Sequence, residues 1–272
     1  MSWPAFHTLL IERHGAVTWL QLNRPARLNA LTEESFEELG AALRAIGADA
    51  DSRVLVLTGA GRGFCAGSDV EGLGERTSWS APQQRERFDR LGRDVVLRLY
   101  GLAIPTVAAI NGPASGGGLS LALACDIRIA AEDATITFGY TGMGLIPDLG
   151  ATYFLPRITG VSRACYHLWR NSRLTASEAL AIGLVDTIVP ARELVEGATA
   201  VAAQIATAPQ LAIRLGRAAL RSTGHGTLED ALEAEAAAQS LCLQSADHRD
   251  RVRAFLRRRV PPAAAPHATS VE

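Results

Sequence analysis

Two stretches of the chain combine glycine, small neighbours and a nearby acid in a way that can hold negative charge. They are FCAGSDV (Phe64 to Val70) and NGPASGGGLSLALACD (Asn111 to Asp126). Each follows an apolar run with strand character, RVLVLT and PTVAAI, and the second passes directly into helix-like sequence. A strand that turns into a helix leaves N–H groups unpaired at the helix N-terminus, where the dipole favours an anion. The glycines have a blander use as well, positive φ or close packing. Two turns of this kind favour the first use, because together they supply two converging amides for an oxygen that becomes negative during reaction. The spacing is neither G-x-G-x-x-G nor G-K-[ST], so a nucleotide loop is disfavoured.

The acid best placed to work beside such donors is Asp148, in GLIPDLG. It has two readings: N-cap of the helix that follows, or a carboxylate base. Glu71 is a second acid, at the start of a helix where it also suits the dipole. No histidine lies between His14 and His167; His167, in RACYHLWR, reads as packed in or beside a helix, and His225 as solvated. Ser120 has no G-x-S-x-G elbow and no evident base, which argues against a serine hydrolase.

The elements that must position these residues are legible from periodicity. FHTLLIE and AVTWLQL flank Arg13-His14-Gly15 as a hairpin, and after NRPARLNAL an amphipathic helix carries Phe36, Leu39, Leu43 and Ile46 on one face. Pro82 suits the first turn of a long helix running toward Tyr100. DIRIAA and ATITFG read as strands, and a helix is expected from near Asp148. The T-A-S-E of Thr175 to Glu178 is a capping-box pattern opening a short helix before LVDTIV. From about Arg192 almost everything reads as helix. The expectation is an α/β core over 1–195, a helical region over 196–260 and a disordered tail over 261–272.

Composition narrows the function. The chain has 272 residues, 48% of them apolar, and a formal net charge of −1. That leaves room for a real core and no basic stripe for nucleic acid. All 27 basic residues are arginine. Schiff-base chemistry and a P-loop lysine are therefore impossible. The four cysteines are widely spaced and form no C-x-x-C pair, so a zinc site and a disulfide framework are not expected. No signal peptide or membrane span is recognisable, and a cytoplasmic protein is the expectation.

These motifs resemble the crotonase (enoyl-CoA hydratase/isomerase) superfamily along nearly the whole chain. The resemblance is carried by NRPARLNAL, GAGRGFCAGSD, NGPASGGGLSLALACD, GLIPDLGATYFLPRITG, TASEALAIGLVD and ADHRDRVRAFLRRR. It implies a spiral of ββα units, a C-terminal helical trimerisation region with a homotrimer or homohexamer, an acyl-CoA thioester as substrate, and no metal or redox cofactor. By position it implies the backbone N–H groups of Ala66 and Gly117 as oxyanion donors. The turn Gly67-Ser68-Asp69-Val70 lies on the adenine and pantetheine path. The resemblance also implies Arg27 and Arg258 as phosphate contacts, with ordinary surface arginines as the alternative reading of each, and Ala30 and Phe255 as further substrate contacts.

The resemblance also directs the chemistry. The hydratase branch carries glutamates in G-G-G-x-E and F-G-x-P-E patterns, and here the first place is Ser120 and the second, counted back from GLIP, is Tyr140. Ordinary hydration is therefore disfavoured. An acid at the place of Asp148 recurs in the phenylacetate ring-isomerase branch, in enoyl-CoA isomerase-like members, and as the nucleophile of the 4-chlorobenzoyl-CoA dehalogenases. The last also need a histidine before the glycine-rich motif, which is missing. The expected reaction is an isomerisation through a thioester enolate, shifting a double bond or opening an epoxide-type ring, with Asp148 as base. Tyr140 is expected to wall the acyl pocket, to bond Asp148 or to pack in the core. A C–C or thioester hydrolase and a catalytically silent acyl-CoA-binding scaffold are the alternatives.

Overall fold

The computed structural model describes residues 3–222, 224 and 226–259, the last two by their backbone only. The expected tail over 261–272 and His225 lie outside the described residues. No described helix is long and apolar enough to cross a membrane.

The chain divides into two compact units, 1–208 and 209–272. In the first, strands β1 (Leu9–His14) and β2 (Val17–Leu22) form the expected hairpin, pairing from Leu9↔Leu22 to His14↔Val17. Helix α1 (Glu33–Ala48) then buries Phe36, Leu39, Leu43 and Ile46, each about 2% exposed or less. Burial of that order contributes roughly 1.5–3 kcal/mol per side chain. Thr32 caps the helix by accepting from the Ser35 N–H at 3.2 Å.

Strand β3 (Val54–Gly59) is buried at every position, and so is β4 (Thr106–Ile110). Such unbroken apolar runs mark parallel strands covered on both faces. Between them lie α2 (Val70–Arg76), α3 (Ala81–Leu91) and α4 (Leu97–Gly101). The long helix expected from Pro82 to Tyr100 is present but passes through a π-helical turn at Gly92–Val96. After β4 come β5 (Ala114–Ser115), α5 (Gly117–Ala124), β6 (Ile127–Ala131) and β7 (Thr135–Thr137). Helices α6 (Ala151–Thr159) and α7 (Val161–Trp169) lead to β8 (Arg173–Thr175), α8 (Ala176–Ala181) and β9 (Thr187–Val189). The Thr175–Glu178 capping box forms as expected.

The main sheet runs β1-β2-β3-β4-β6-β9, antiparallel only at β1/β2 and parallel thereafter, and a smaller sheet runs β5-β7-β8. Parallel pairing of β3 with β4 (Leu55↔Thr106 to Leu57↔Ala108) brings their C-terminal ends, and both glycine turns, to the same edge. Open α/β sheets bind ligands at that edge.

Helix α9 (Leu194–Ala206) lies against β2, β3, β4 and β6, burying Leu194, Ala198, Ala202 and Ala206. The sequence boundary at 195/196 would cut this helix, and the compact unit continues to Ala208. Among its described residues the second unit has helices and turns and no strand: α10 (Gln210–Ser222), α11 (Leu228–Leu243) and α12 (Ala246–Arg259).

Candidate active site

The two glycine turns are sewn to each other by the backbone. Phe64 and Cys65 both donate to the Pro113 carbonyl at 3.1 Å, and Ser115 donates back to the Cys65 carbonyl at 2.9 Å. Asn111 adds side-chain bonds, accepting from the Gly59 N–H at 3.1 Å and donating to the Gly61 carbonyl at 2.9 Å. The glycines have separate tasks. Gly116 sits at φ +49°, ψ −123°, which only glycine adopts readily. Gly118 is pressed against the first turn, where an added Cβ would lie 2.6 Å from Cys65 Cβ.

One expected donor is corrected here. The Ala66 N–H is already spent on the Leu28 carbonyl at 2.9 Å, and the Gly67 N–H faces the Cys65 sulfur. The next amide, Ser68, has no partner among the described residues, and neither has Gly117, the first residue of α5. The two turns touch at this point: a Cβ on Gly67 would come within 3.4 Å of the Gly117 nitrogen. The free donors are thus Ser68 and Gly117. Leu28 intervenes because Leu28 and Asn29 both adopt positive φ (48° and 57°), a bend that Asn29 holds by donating to the Ala60 and Gly63 carbonyls.

Asp148 does not cap α6. The N-cap is Gly150 at φ +85°, without a side-chain bond, and only the Asp148 carbonyl takes part in the turn, accepting from Ala151 at 2.9 Å. The carboxylate is turned inward, and its buried Oδ1 has no hydrogen-bond partner. Burial pushes its pKa above the ordinary 3.8, while the positive charges of Arg87 and Arg76 and its own backbone amide pull the other way. Ser120 and Tyr140 form one buried pair, with hydroxyls 2.6 Å apart. Tyr140 Oη also lies 2.7 Å from the Gly116 carbonyl and Ser120 Oγ 2.9 Å from the Asp148 carbonyl, and the two hydroxyl protons are shared among these three contacts. Tyr140 therefore supports the glycine turn rather than the Asp148 carboxylate. Burial raises its phenol well above the ordinary value, and Ser120 opposes this.

A cavity of ≈ 670 Å³ joins these groups; Ser68, Gly117, Tyr140 and Asp148 all line it. So do Ala66, Gly67 and Val70, although the Ala66 amide is not available. Two further lining residues, Arg76 and Arg87, are only 7% and 5% exposed. Nothing in the sequence singled them out. Arginines in RERFDRLGRD look like a solvated helix face, and nothing local points to the distant Glu33 that draws them in.

The other expected contacts are distributed differently. Asp69 is occupied structurally, capping α2 through the Glu71 N–H and pairing with Arg24 at 2.9 Å; that bond holds its carboxyl below the usual range. Arg27 is exposed and pairs with Glu71 at 3.0 Å, which leaves Glu71 on the surface as well. The Ala30 carbonyl accepts from Arg24 beside the Leu31–Ser68 bridge. Phe255 is on α12 in the second unit, 56% exposed, and the Arg258 side chain lies outside the described residues. His167 stacks on Phe138 at 5.4 Å, as a packed residue does.

A site with two free amides and a desolvated carboxylate can stabilise an enolate and move a proton. The known proteins that this chain resembles include an isomerase and a hydratase named for acyl-CoA substrates. The chain is 38% identical over 245 residues to 1,2-epoxyphenylacetyl-CoA isomerase of Escherichia coli, covering 90% of this chain and 94% of that one. It is 34% identical to crotonyl-CoA hydratase of Syntrophomonas wolfei, with 94% and 97% covered. Among solved structures, a putative enoyl-CoA hydratase from Streptomyces coelicolor superposes with a TM-score of 0.90 at 33% identity, over 96% of this chain and 95% of that one. Residues 12–264 match the model of one family. By fold, by sequence and by the turns that build its cavity, the chain belongs to the enoyl-CoA hydratase/isomerase family.

Proposed function

We propose that this protein is an acyl-CoA isomerase that works through a thioester enolate, shifting a double bond or opening an epoxide-type ring. The observation that carries the reading is the Asp148 carboxylate, buried in the cavity with an unpartnered Oδ1 and a raised pKa. The Ser68 and Gly117 amides receive the thioester oxygen, and each such donor contributes about 3 kcal/mol in the transition state. Asp148 takes a proton from Cα or Cγ. The electron pair delocalises over the thioester, and the acid formed returns the proton at another carbon of the dienolate. One carboxylate serves both steps, and no group beyond the substrate is needed. Water addition is disfavoured because Ser120 and Tyr140, at the glutamate positions of the hydratase pattern, use their hydroxyls on each other and on carbonyls.

The same proposal places the protein in the cytoplasm as a homotrimer or homohexamer. Exposed Leu220, Leu228, Leu232 and Leu241 on the helices of the second unit support self-association, which sedimentation tests. The test of the chemistry is deuterium uptake from heavy water into 3-enoyl and phenylacetyl-type CoA thioesters. Exchange by the wild type that is lost in Asp148→Asn supports the reading. Equal exchange in both removes Asp148 as the base, and release of free CoA points to a hydrolase instead.

A further inference from the structure

The cavity contains two buried arginines that the enolate chemistry does not use. Arg87 on α3 and Arg76 on α2 both reach Glu33 Oε1, from Arg87 Nε at 2.5 Å and Arg76 Nη1 at 3.2 Å. Glu33 is shared further, with Arg90 at 3.1 Å from its other oxygen. One carboxylate thus serves three guanidinium groups, two of them almost wholly enclosed.

The Glu33 bond is the only hydrogen bond of the Arg87 side chain among the described residues. Its Nη2 is fully buried with no partner, and Nη1 has none either. Phe36 and Phe88 lie under the guanidinium, with ring centroids at 5.4 and 5.3 Å, and fix its plane without accepting its protons. Asp148 feels both charges, yet no nitrogen of Arg87 or Arg76 comes within 4.0 Å of its carboxylate. A guanidinium cannot shed its charge in a protein, and a buried one left short of acceptors is costly. Nη1 is not enclosed as Nη2 is, so a hydrocarbon acyl chain laid against it would strip it of water and give it no acceptor, whereas an oxygen acceptor would take the water's place.

We propose that the acyl group received here carries an oxygen acceptor beyond the thioester, either a carboxylate or a neutral keto or ring oxygen, and that Arg87, seconded by Arg76, binds it. The proposal rests on the acyl-CoA reading above and specifies its substrate class. Arg87 then acts as a specificity determinant: it selects oxygenated acyl groups and rejects isosteric hydrocarbon ones by leaving its donors unpaired against them.

The test is the binding of three CoA thioesters of similar chain length to the full-length protein by titration calorimetry: hexanoyl-CoA, 5-oxohexanoyl-CoA and glutaryl-CoA. The wild type is expected to bind at least one oxygenated thioester about 10- to 100-fold more tightly than hexanoyl-CoA, the range of a hydrogen bond to a charged group. Preference for glutaryl-CoA alone identifies a permanent anion, and preference for both identifies a neutral acceptor. In Arg87→Met the preference should vanish while hexanoyl-CoA binding is kept or improved, which also reports that the variant is folded. Equal or better binding of hexanoyl-CoA by the wild type overturns the proposal without need of any variant, as does a preference that survives in both Arg87→Met and Arg76→Met. Failure of all three thioesters to bind overturns the acyl-CoA reading itself and this inference with it.

Discussion

Replacing Asp148 by asparagine is expected to make the protein more stable and far less active, and the two effects can be read separately. The structure shows why stability should rise. The wild-type carboxylate is buried with Oδ1 unpartnered, and desolvation raises its pKa in the folded state above the 3.8 of an ordinary aspartate. A group whose folded pKa is raised favours folding most when protonated. Wild-type stability therefore falls relative to Asp148→Asn as pH rises from the unfolded value through the folded one, and the gap is constant above that. Leaving a polar group buried and unsatisfied costs about 1–3 kcal/mol, and more when it is charged. The neutral amide keeps a buried polar oxygen, as the protonated acid does, so what it recovers at pH 7.5 is the added cost of the charge, of the same order of about 1–3 kcal/mol. At about 2–4 °C per kcal/mol for a domain of this size, the gain in Tm is about 2–12 °C.

Two assays decide the matter. Thermal melts of both proteins across pH 4 to 8 should converge at the acid end, where the wild-type carboxyl is protonated, and separate as pH rises. Proton exchange should fall by about 10²–10⁴-fold in the variant, the usual worth of a general base. The acid limb of the wild-type kcat/KM profile should have its midpoint above 3.8, because the base must be ionised to work and activity is lost as pH falls through its raised pKa. An asparagine variant no more stable than wild type at pH 7.5, or one equally stabilised at every pH, would refute the account of Asp148 as a desolvated carboxylate.

Gly117→Pro tests the amide pair: proline is tolerated at the first position of a helix, so α5 should form while one donor disappears. Its exchange rate should drop about 10²–10³-fold with little change in the far-UV spectrum. Gly118→Ala acts on the fold instead, since its Cβ would meet Cys65 Cβ at 2.6 Å; a loss of about 1–3 kcal/mol in urea melts is expected. Ser120→Ala removes the group between Tyr140 and the Asp148 carbonyl, and should cost about 1–3 kcal/mol by urea melt with a lower kcat at unchanged acyl-CoA affinity.

The sequence announced most of the scaffold because its periodic segments also bury their apolar faces. The hairpin, the face of α1, and β3 and β4 need only local pattern to be found. What stayed hidden depends on contacts distant in the chain. FCAGSDV marks a donor turn, but the identity of its free amide depends on the Leu28 carbonyl, brought there by a positive-φ pair 38 residues before Ala66. Pro147-Asp148 has the chemistry of a cap, yet the chain bends once more through Leu149 and Gly150, both at positive φ, before the helix begins. Arg76 and Arg87 look solvated until Glu33 is known to lie against them. Residue types named the chemistry; tertiary contacts chose the atoms.

The same logic explains how the Asp148 carboxylate can be held in place with its Oδ1 unpaired. Hydrogen bonds to both carboxylate oxygens would hold Asp148 still, but they would also favour its ionised form and blunt it as a base. Here the main chain supplies much of the restraint. The Asp148 carbonyl is gripped by Ser120 Oγ and the Ala151 N–H, each at 2.9 Å. Leu149, next in sequence, is held at φ +47° with its side chain buried toward Gly117, where an added Cβ would lie 3.2 Å from Leu149 Cδ1. A left-handed leucine costs about 1–2 kcal/mol of backbone strain. That strain persists because packing and the Ser120 bond over-determine the bend. Ser120 thereby steadies the main chain of Asp148, while Tyr140 supports the glycine turn beside it. In the proposed isomerisation the desolvated acid is thus anchored through its main chain, with the amide pair left in place.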